Sequence, residues 1–211
     1  MNKALSALLG YTQEDLFGRT FQDITHPDDL NSDLANVLGN FVNRITKYCA
    51  GKFEGKVPSG GKAGEAEDWI VKELETRIPA LVGYYEAREF RKAMAETRAI
   101  WAAGNEYLTQ AAPWTHYKTD VDQAAIGVRY GLNLVALFGV IAQPIIPDAA
   151  AKILDAMNIP DANRTWAFRS AGEAVNALPI GLEISAPPVL FTKIEDTDIT
   201  DWTERFGGDA A

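Results

Sequence analysis

The chain has 211 residues, of which 47% are hydrophobic and five are tryptophan, and its formal net charge is −9. This is enough apolar material for one well-packed domain with an appendage. It is too acidic a balance for indiscriminate nucleic-acid binding, which needs clustered Lys and Arg to release counterions from phosphates, so any nucleic-acid site has to be local and selective.

A single cysteine, Cys49, excludes an internal disulfide and a cysteine-rich zinc site, and no other metal or cofactor site is expected. The opening MNKALSALLG lacks the charged-then-apolar pattern of a secretion signal, which makes the cytoplasm the expected compartment. The longest uninterrupted apolar stretch, residues 134–142, is far short of the roughly 20 residues that span a bilayer. It predicts a core helix and no membrane partner.

In chain order, residues 1–30 predict short helices whose Leu5, Leu8, Leu9, Tyr11, Leu16, Phe17 and Phe21 seek cover against the rest of the chain. If they find none, the exposed apolar patch favours self-association. An amphipathic helix follows over 33–47, where Leu34, Leu38, Phe41, Ile45 and Tyr48 recur at spacings of four and three. The stretch 51–64, GKFEGKVPSGGKAG, has no period and reads as an exposed loop with solvated lysines.

Trp69, Ile70, Leu74, Ile78 and Leu81 write a second helix, kinked at Pro79, and Phe90, Met94, Thr97, Trp101, Gly104 and Leu108 write a third. From 121 to 142 the chain is apolar on most faces, with Ile126, Tyr130, Leu134, Leu137 and Ile141 in step, which places this helix at the centre; Pro144 and Pro147 end it. Shorter helices are expected at 148–157 and 162–171. The tail 177–202, rich in proline, offers no helical period and reads as extended and strapped to the outside. Helix after helix with modest connections and no alternating strands predicts an all-α antiparallel bundle, divided as 1–30, 31–175 for the bundle and 176–211 for the extended return segment.

On the first helix Asn36, Asn40 and Arg44 stand at i, i+4 and i+8 and share a stripe well around from the apolar one. Asn offers a base edge both a donor and an acceptor, and Arg forks onto a base or stacks on it. Polar residues at this spacing also suit a plain solvated face. A second feature is the turn Ala111-Ala112-Pro113-Trp114-Thr115, where a proline breaks the third helix beside a tryptophan. A tryptophan on a rigid turn makes a stacking platform for an unpaired base, although, read alone, Trp114 suits a core anchor better.

Several separated segments carry a family likeness. LGNFVNRITKY, EAREFRKAMAETRAIWAAGNEYLTQAAPWTHYK, GLNLVALFGVIAQPIIPDAAAKI and the trailing PPVLFTKIE occur in that order, and together they resemble the anticodon-binding domain of bacterial methionyl-tRNA synthetases from about residue 31 to 208. The resemblance implies that Asn40 and Arg44 contact anticodon bases, that Trp114 stacks on one, and that Asn36, Pro113 and Lys118 shape the site. The implied partner is a methionine tRNA with a CAU anticodon, with no role for DNA. In that family catalysis belongs to a preceding domain with HIGH-like and KMSKS-like motifs. Neither occurs in this sequence, which predicts a non-catalytic module acting beside a separate catalytic domain. Nothing in the sequence indicates a dimer.

Within residues 1–30, GYTQEDLFGR and HPDDL look instead like the middle of a PAS sensory domain. Its opening and closing strands are missing, so no ligand pocket can close, and His26 beside Pro27 reads as a turn residue and not a haem ligand. The join within LNSDLANVL has no linker, which suggests recombination or deliberate joining. A second reading is therefore a chimeric structural module in which tRNA binding is weak or lost. A sensory protein ranks last.

Overall fold

The computed structural model describes residues 31–165, 170–192 and 195–206; the expectations for residues 1–30 lie outside the described residues. A π-helical segment, Asn31–Gly39, leads directly into α1 (Asn40–Lys52). Then come α2 (Glu65–Glu86), α3 (Phe90–Ala111), the single turn α4 (Pro113–His116), α5 (Val121–Ala142), α6 (Pro147–Ala156), a 3-10 turn at Asp161–Asn163, α7 (Ala171–Ala174) and α8 (Asp196–Phe206). The all-α bundle expected from the periodicity is the architecture found. Two details of the first helix differ: its opening is wound in wide i→i+5 turns, and α1 proper starts only at Asn40.

The centre of the bundle is α5. From Ala124 to Ala142 every residue but Arg129 is buried, as its apolar faces demand. Its mean hydropathy of 1.7 and its length are sufficient for a membrane crossing, yet 94% of that stretch is covered by the rest of the chain, so here it serves as the core. Asp120 caps it, the carboxylate accepting from the Gln123 N–H at 3.0 Å. Around it pack α1, α3, α4 and α6, while α2 pairs with α3. α1 approaches it closely at Gly131, where a Cβ would stand 2.8 Å from Ile45 Cγ1. Only glycine lets Ile45 seat against the α5 backbone.

Two buried polar groups tie distant segments together. Glu67, in the first turn of α2, is buried; its carboxylate accepts from the Gly64 N–H at 2.9 Å and from the Tyr107 hydroxyl at 2.7 Å. Asn133 on α5 accepts from the Leu178 N–H at 2.8 Å and donates to the Arg129 carbonyl at 2.9 Å. Both satisfy the requirement that a buried polar group find partners, and the second fixes the point at which the tail leaves the bundle.

Several expectations need correction. The stretch 51–64 is a largely exposed loop only from Phe53 on, because α1 runs on to Lys52, and it is pinned by the buried Val57 and by Gly61, which donates to the Asp122 carbonyl at 2.9 Å. In place of a helix over 162–171 there are the 3-10 turn and the short α7, with 166–169 outside the described residues. The tail is extended to residue 192, but Asp196–Phe206 is helical, with acidic residues at its start and Arg205 at its end, the arrangement that suits a helix dipole. Phe90 and Met94, in step with the buried face of α3, are 42% and 50% exposed, because a period selects a face whether or not a neighbour covers it.

The extended tail is anchored by backbone hydrogen bonds to the segment after α1. Gly181 donates to the Val57 carbonyl at 2.8 Å, Val57 to Leu182 at 2.9 Å and Ile184 to Gly55 at 2.8 Å, with Lys56 and Glu183 bridged in antiparallel fashion. The chain then runs back beside α1, and Phe191 meets Gly39, where a Cβ would stand 3.3 Å from its ring.

Replacing Tyr107 with Phe leaves a buried carboxylate one donor short and is expected to lower stability by about 1–3 kcal/mol in a urea titration, while Glu67→Ala, which removes the helix-start bond as well, costs more. Burial pushes the Cys49 thiol up from 9.0 to about 11. Its neutral form is therefore favoured by folding, and this contribution is present below pH 9.0 and lost as pH rises towards about 11. Native protein should resist a thiol reagent at pH 8 and react only on unfolding; rapid native-state labelling refutes the burial.

Candidate nucleic-acid interface

The outer side of α1 faces two structures, the α4 turn on one flank and the tail on the other. The sequence of α1, NFVNRITKYCAGK, contains Arg44, Lys47 and Lys52 and no acidic residue, a local cationic strip on a chain of net charge −9. Phe41, Val42, Ile45, Thr46 and Cys49 are buried, and Asn40, Asn43, Arg44 and Lys47 are exposed.

The α4 turn is built by Ala112 and Pro113. Ala112 takes the left-handed conformation, φ 35° and ψ 55°, at a cost of about 1–2 kcal/mol for a residue with a Cβ. Pro113 then starts the short helix, where its missing N–H costs nothing. Its ring is buried against α5, 3.4 Å from the Cβ position of Gly127, and its carbonyl accepts from the Tyr48 hydroxyl at 3.3 Å.

Trp114 is thereby set on α4 opposite α1, half-buried. The Arg44 guanidinium carbon lies 4.6 Å from the Trp114 ring centroid, within cation–π range. Tyr48 meets the same ring edge-on, at 6.0 Å and 86°. Tyr48 also packs on Tyr117 at 6.2 Å and on Phe53 at 6.4 Å, and Phe53 on Tyr117 at 5.6 Å. The Lys52 ammonium stands 5.1 Å from the Tyr117 ring centroid. Four aromatic rings thus form one cluster topped by two cations. Burial, and then the neighbouring Tyr117, raise the ionisation of the Tyr48 hydroxyl above its ordinary value of 10.0, so at neutral pH it remains a donor to Pro113.

The residues singled out by sequence are divided by the structure. Arg44 and Trp114 are in contact and Pro113 forms the base of their turn. Asn36 and Asn40 lie on the other flank, lining a groove of about 370 Å³ with Gly39, Asn43, Lys47 and the tail residues 187–191. Lys118, exposed on the turn after α4, donates its backbone N–H to Thr115 at 3.4 Å. Phe53, Tyr117 and Lys52 joined the cluster without any sequence signal, since irregularly spaced aromatics across a helix end and a turn have no period, and Tyr48 is marked only as part of the apolar stripe. Among the described residues no group of three or more His, Cys, Asp or Glu side chains is placed to hold a metal ion.

The Trp114 ring is packed edge-on by Tyr48. Tyr48→Ala should therefore free the Trp114 ring, read as increased quenching of tryptophan fluorescence by acrylamide relative to wild type, with a Trp114→Phe variant of the same background as the control; unchanged quenching contradicts the packing.

Comparison with known proteins gives the arrangement its context. The model of the family described as the anticodon-binding domain of methionyl-tRNA ligase matches residues 57–211. The methionine-tRNA ligase of Maricaulis maris is 64% identical over 180 residues, covering 85% of this chain and 32% of that enzyme; that of Hyphomonas neptunium is 63% identical over 183 residues, with the same coverage of each. The chain therefore spans about a third of the length of the curated relatives it matches. The free-state crystal structure of Mycobacterium tuberculosis methionyl-tRNA synthetase superposes with a TM-score of 0.73 at 22% identity, over 84% of this chain and 35% of that one, which shows a shared fold. The matched region takes in both the bundle and the tail that returns along α1, and the chain belongs to the anticodon-binding domain family of methionyl-tRNA ligases.

Proposed function

We propose that this chain binds the anticodon loop of a methionine tRNA, with a CAU triplet, and that the contact of Arg44 with Trp114 marks where a base is held. The single observation that carries the reading is this exposed cation resting 4.6 Å from a fixed indole, on a helix with no acidic residue. An unpaired base stacks on Trp114 as Arg44 is displaced or closes over it, since both planes are stacking surfaces. Asn36 and Asn40 offer carboxamide donors and acceptors to neighbouring base edges, Pro113 holds the platform, and Lys118 supplies a positive charge at its margin.

In this reading the chain has no aminoacylation activity alone. The HIGH-like and KMSKS-like motifs occur nowhere in its sequence, and chemistry requires a separate catalytic domain, acting in the cytoplasm. We divide the chain into a head, residues 1–30, related to a PAS-type fragment and without a cofactor, a bundle over 31–175 and a return segment over 176–211.

The test is titration of an RNA hairpin carrying a CAU anticodon loop, with a scrambled loop as control, following tryptophan fluorescence at modest salt. Preferential quenching by CAU is expected. Trp114→Ala and Arg44→Ala should weaken binding by roughly tenfold to a hundredfold while their thermal melts stay close to wild type. Equal binding by both variants, or no difference between the two loops, overturns the proposal.

A further inference from the structure

The groove between α1 and the returning tail contains residues that the anticodon reading leaves without a task. Its α1 wall carries Asn36, Asn40, Asn43 and Lys47, and its opposite wall is formed by Pro187, Pro188, Val189, Leu190 and Phe191. Among these described lining residues none is acidic, although the chain as a whole is strongly so. One wall thus offers carboxamide donors and acceptors ending in a cation, and the other offers flat apolar surface. That pairing is what an unstacked base with its phosphate requires: edges to hydrogen-bond, a face to pack and a charge to neutralise.

The groove is distinct from the Trp114 face. Asn43 and Arg44 are neighbours in sequence and so point about 100° apart around the helix; Arg44 goes to Trp114, and Asn43 to the tail. Its length is also informative. Asn36 and Lys47 are separated along the axis by about 15 Å, whereas three bases stacked at about 3.4 Å per nucleotide cover only about 10 Å. The groove is thus longer than three stacked bases fill, which leaves room along this side of α1 for one further nucleotide of the same loop. The volume of about 370 Å³ falls within the range of small-molecule sites.

The tail is held at both ends of the groove. It is fixed before the groove by the backbone bonds of Gly181, Leu182 and Ile184 to the segment after α1, and at the far end by Phe191 lying on Gly39. Val189, between these anchors, is 81% exposed and open to a ligand.

We infer that this groove is a second nucleotide pocket, separate from the Trp114 platform, which takes an unpaired base adjoining the CAU triplet in the same RNA loop, between the Asn43 carboxamide and the tail, and holds its phosphate at Lys47. The inference rests on the anticodon-loop reading and assigns roles to Asn43, Lys47 and residues 187–191 that the platform does not need.

The full chain and its Asn43→Ala, Lys47→Gln and Trp114→Ala variants, each checked by thermal melting, are titrated with the CAU hairpin and with hairpins made abasic at the nucleotide on either side of the triplet. One abasic substitution should weaken wild-type binding roughly tenfold and have little further effect on Asn43→Ala. Lys47→Gln should retain the preference for CAU over a scrambled loop while the slope of log affinity against log salt becomes shallower by about 0.7. Variants at 43 and 47 that bind like wild type, or abasic losses that add in full to that of Asn43→Ala, overturn the second pocket. If Trp114→Ala loses binding under those same conditions, only this inference falls; if no variant and no loop matters, the anticodon reading falls with it.

Discussion

The seating of Ile45 against Gly131 is the contact on which the rest of the site depends. α1 is short and its outer side is polar, so its orientation comes from the inner face alone. There Phe41, Ile45 and Cys49 are fully buried, and the absence of a Cβ at residue 131 brings Ile45 2.8 Å from where one would stand. A helix rotated by one residue would turn its outer strip by about 100°, taking Arg44 away from Trp114 and Asn43 away from the tail. The buried seam therefore sets the geometry of side chains it never touches. Pro113 plays the matching part for the platform, packed on Gly127 of the same central helix and bonded to Tyr48. Both halves of the platform are thus referred to α5, the most completely buried element of the chain.

How much of this was legible in the sequence follows from which signals are periodic. The helices that surround α5, and α5 itself, announce themselves because each must repeat apolar residues on one side to be buried. Trp114 could be singled out because it stands beside a helix-breaking proline and Arg44 because it shares a polar stripe with Asn36 and Asn40, although each also suits a plainer role without the family likeness. Tyr48 was read only as the last member of the buried stripe, yet it is the hinge of the cluster, packing on Trp114, Tyr117 and Phe53 while donating to Pro113. Its double role arises from α1 continuing to Lys52 and from the fold of the following turn, neither of which is coded by a period. The groove was illegible for a related reason. The tail is positioned by main-chain bonds from 181–184 to 55–57, and backbone groups are common to every residue. The π-helical opening has no sequence signature that we can identify.

Charge separates what the fold permits from what the surface selects. The acidic residues of α2 and α8 make the molecule as a whole repel polyanions, and the screening length of about 8 Å at physiological salt confines any attraction to the immediate neighbourhood of Arg44, Lys47 and Lys52. In the proposed reading this is an advantage for selectivity: with only a few phosphate contacts possible, the counterion-release term that binds nucleic acids indiscriminately stays small, and base stacking and base-edge hydrogen bonds carry most of the discrimination.

The resting contact between Arg44 and Trp114 bears on how such discrimination is achieved. An indole face left open to water would accept any aromatic ring, because every base has a π-face and stacking is tolerant of sequence. With Arg44 over it, a base must first compete with a cation–π contact worth about 0.5–1 kcal/mol at an exposed site. Displacing the guanidinium is compensated only if it finds a new acceptor, and a base presenting acceptors along one edge provides that where a base presenting donors does not. In the proposed reading the arginine converts an indifferent stacking surface into one whose occupancy depends on the hydrogen-bonding edge of the base. The same logic explains why the carboxamides on the other flank are useful only when the tail is in place: a base edge bonded to Asn40 or Asn43 needs its own face covered, and residues 187–191 supply that cover.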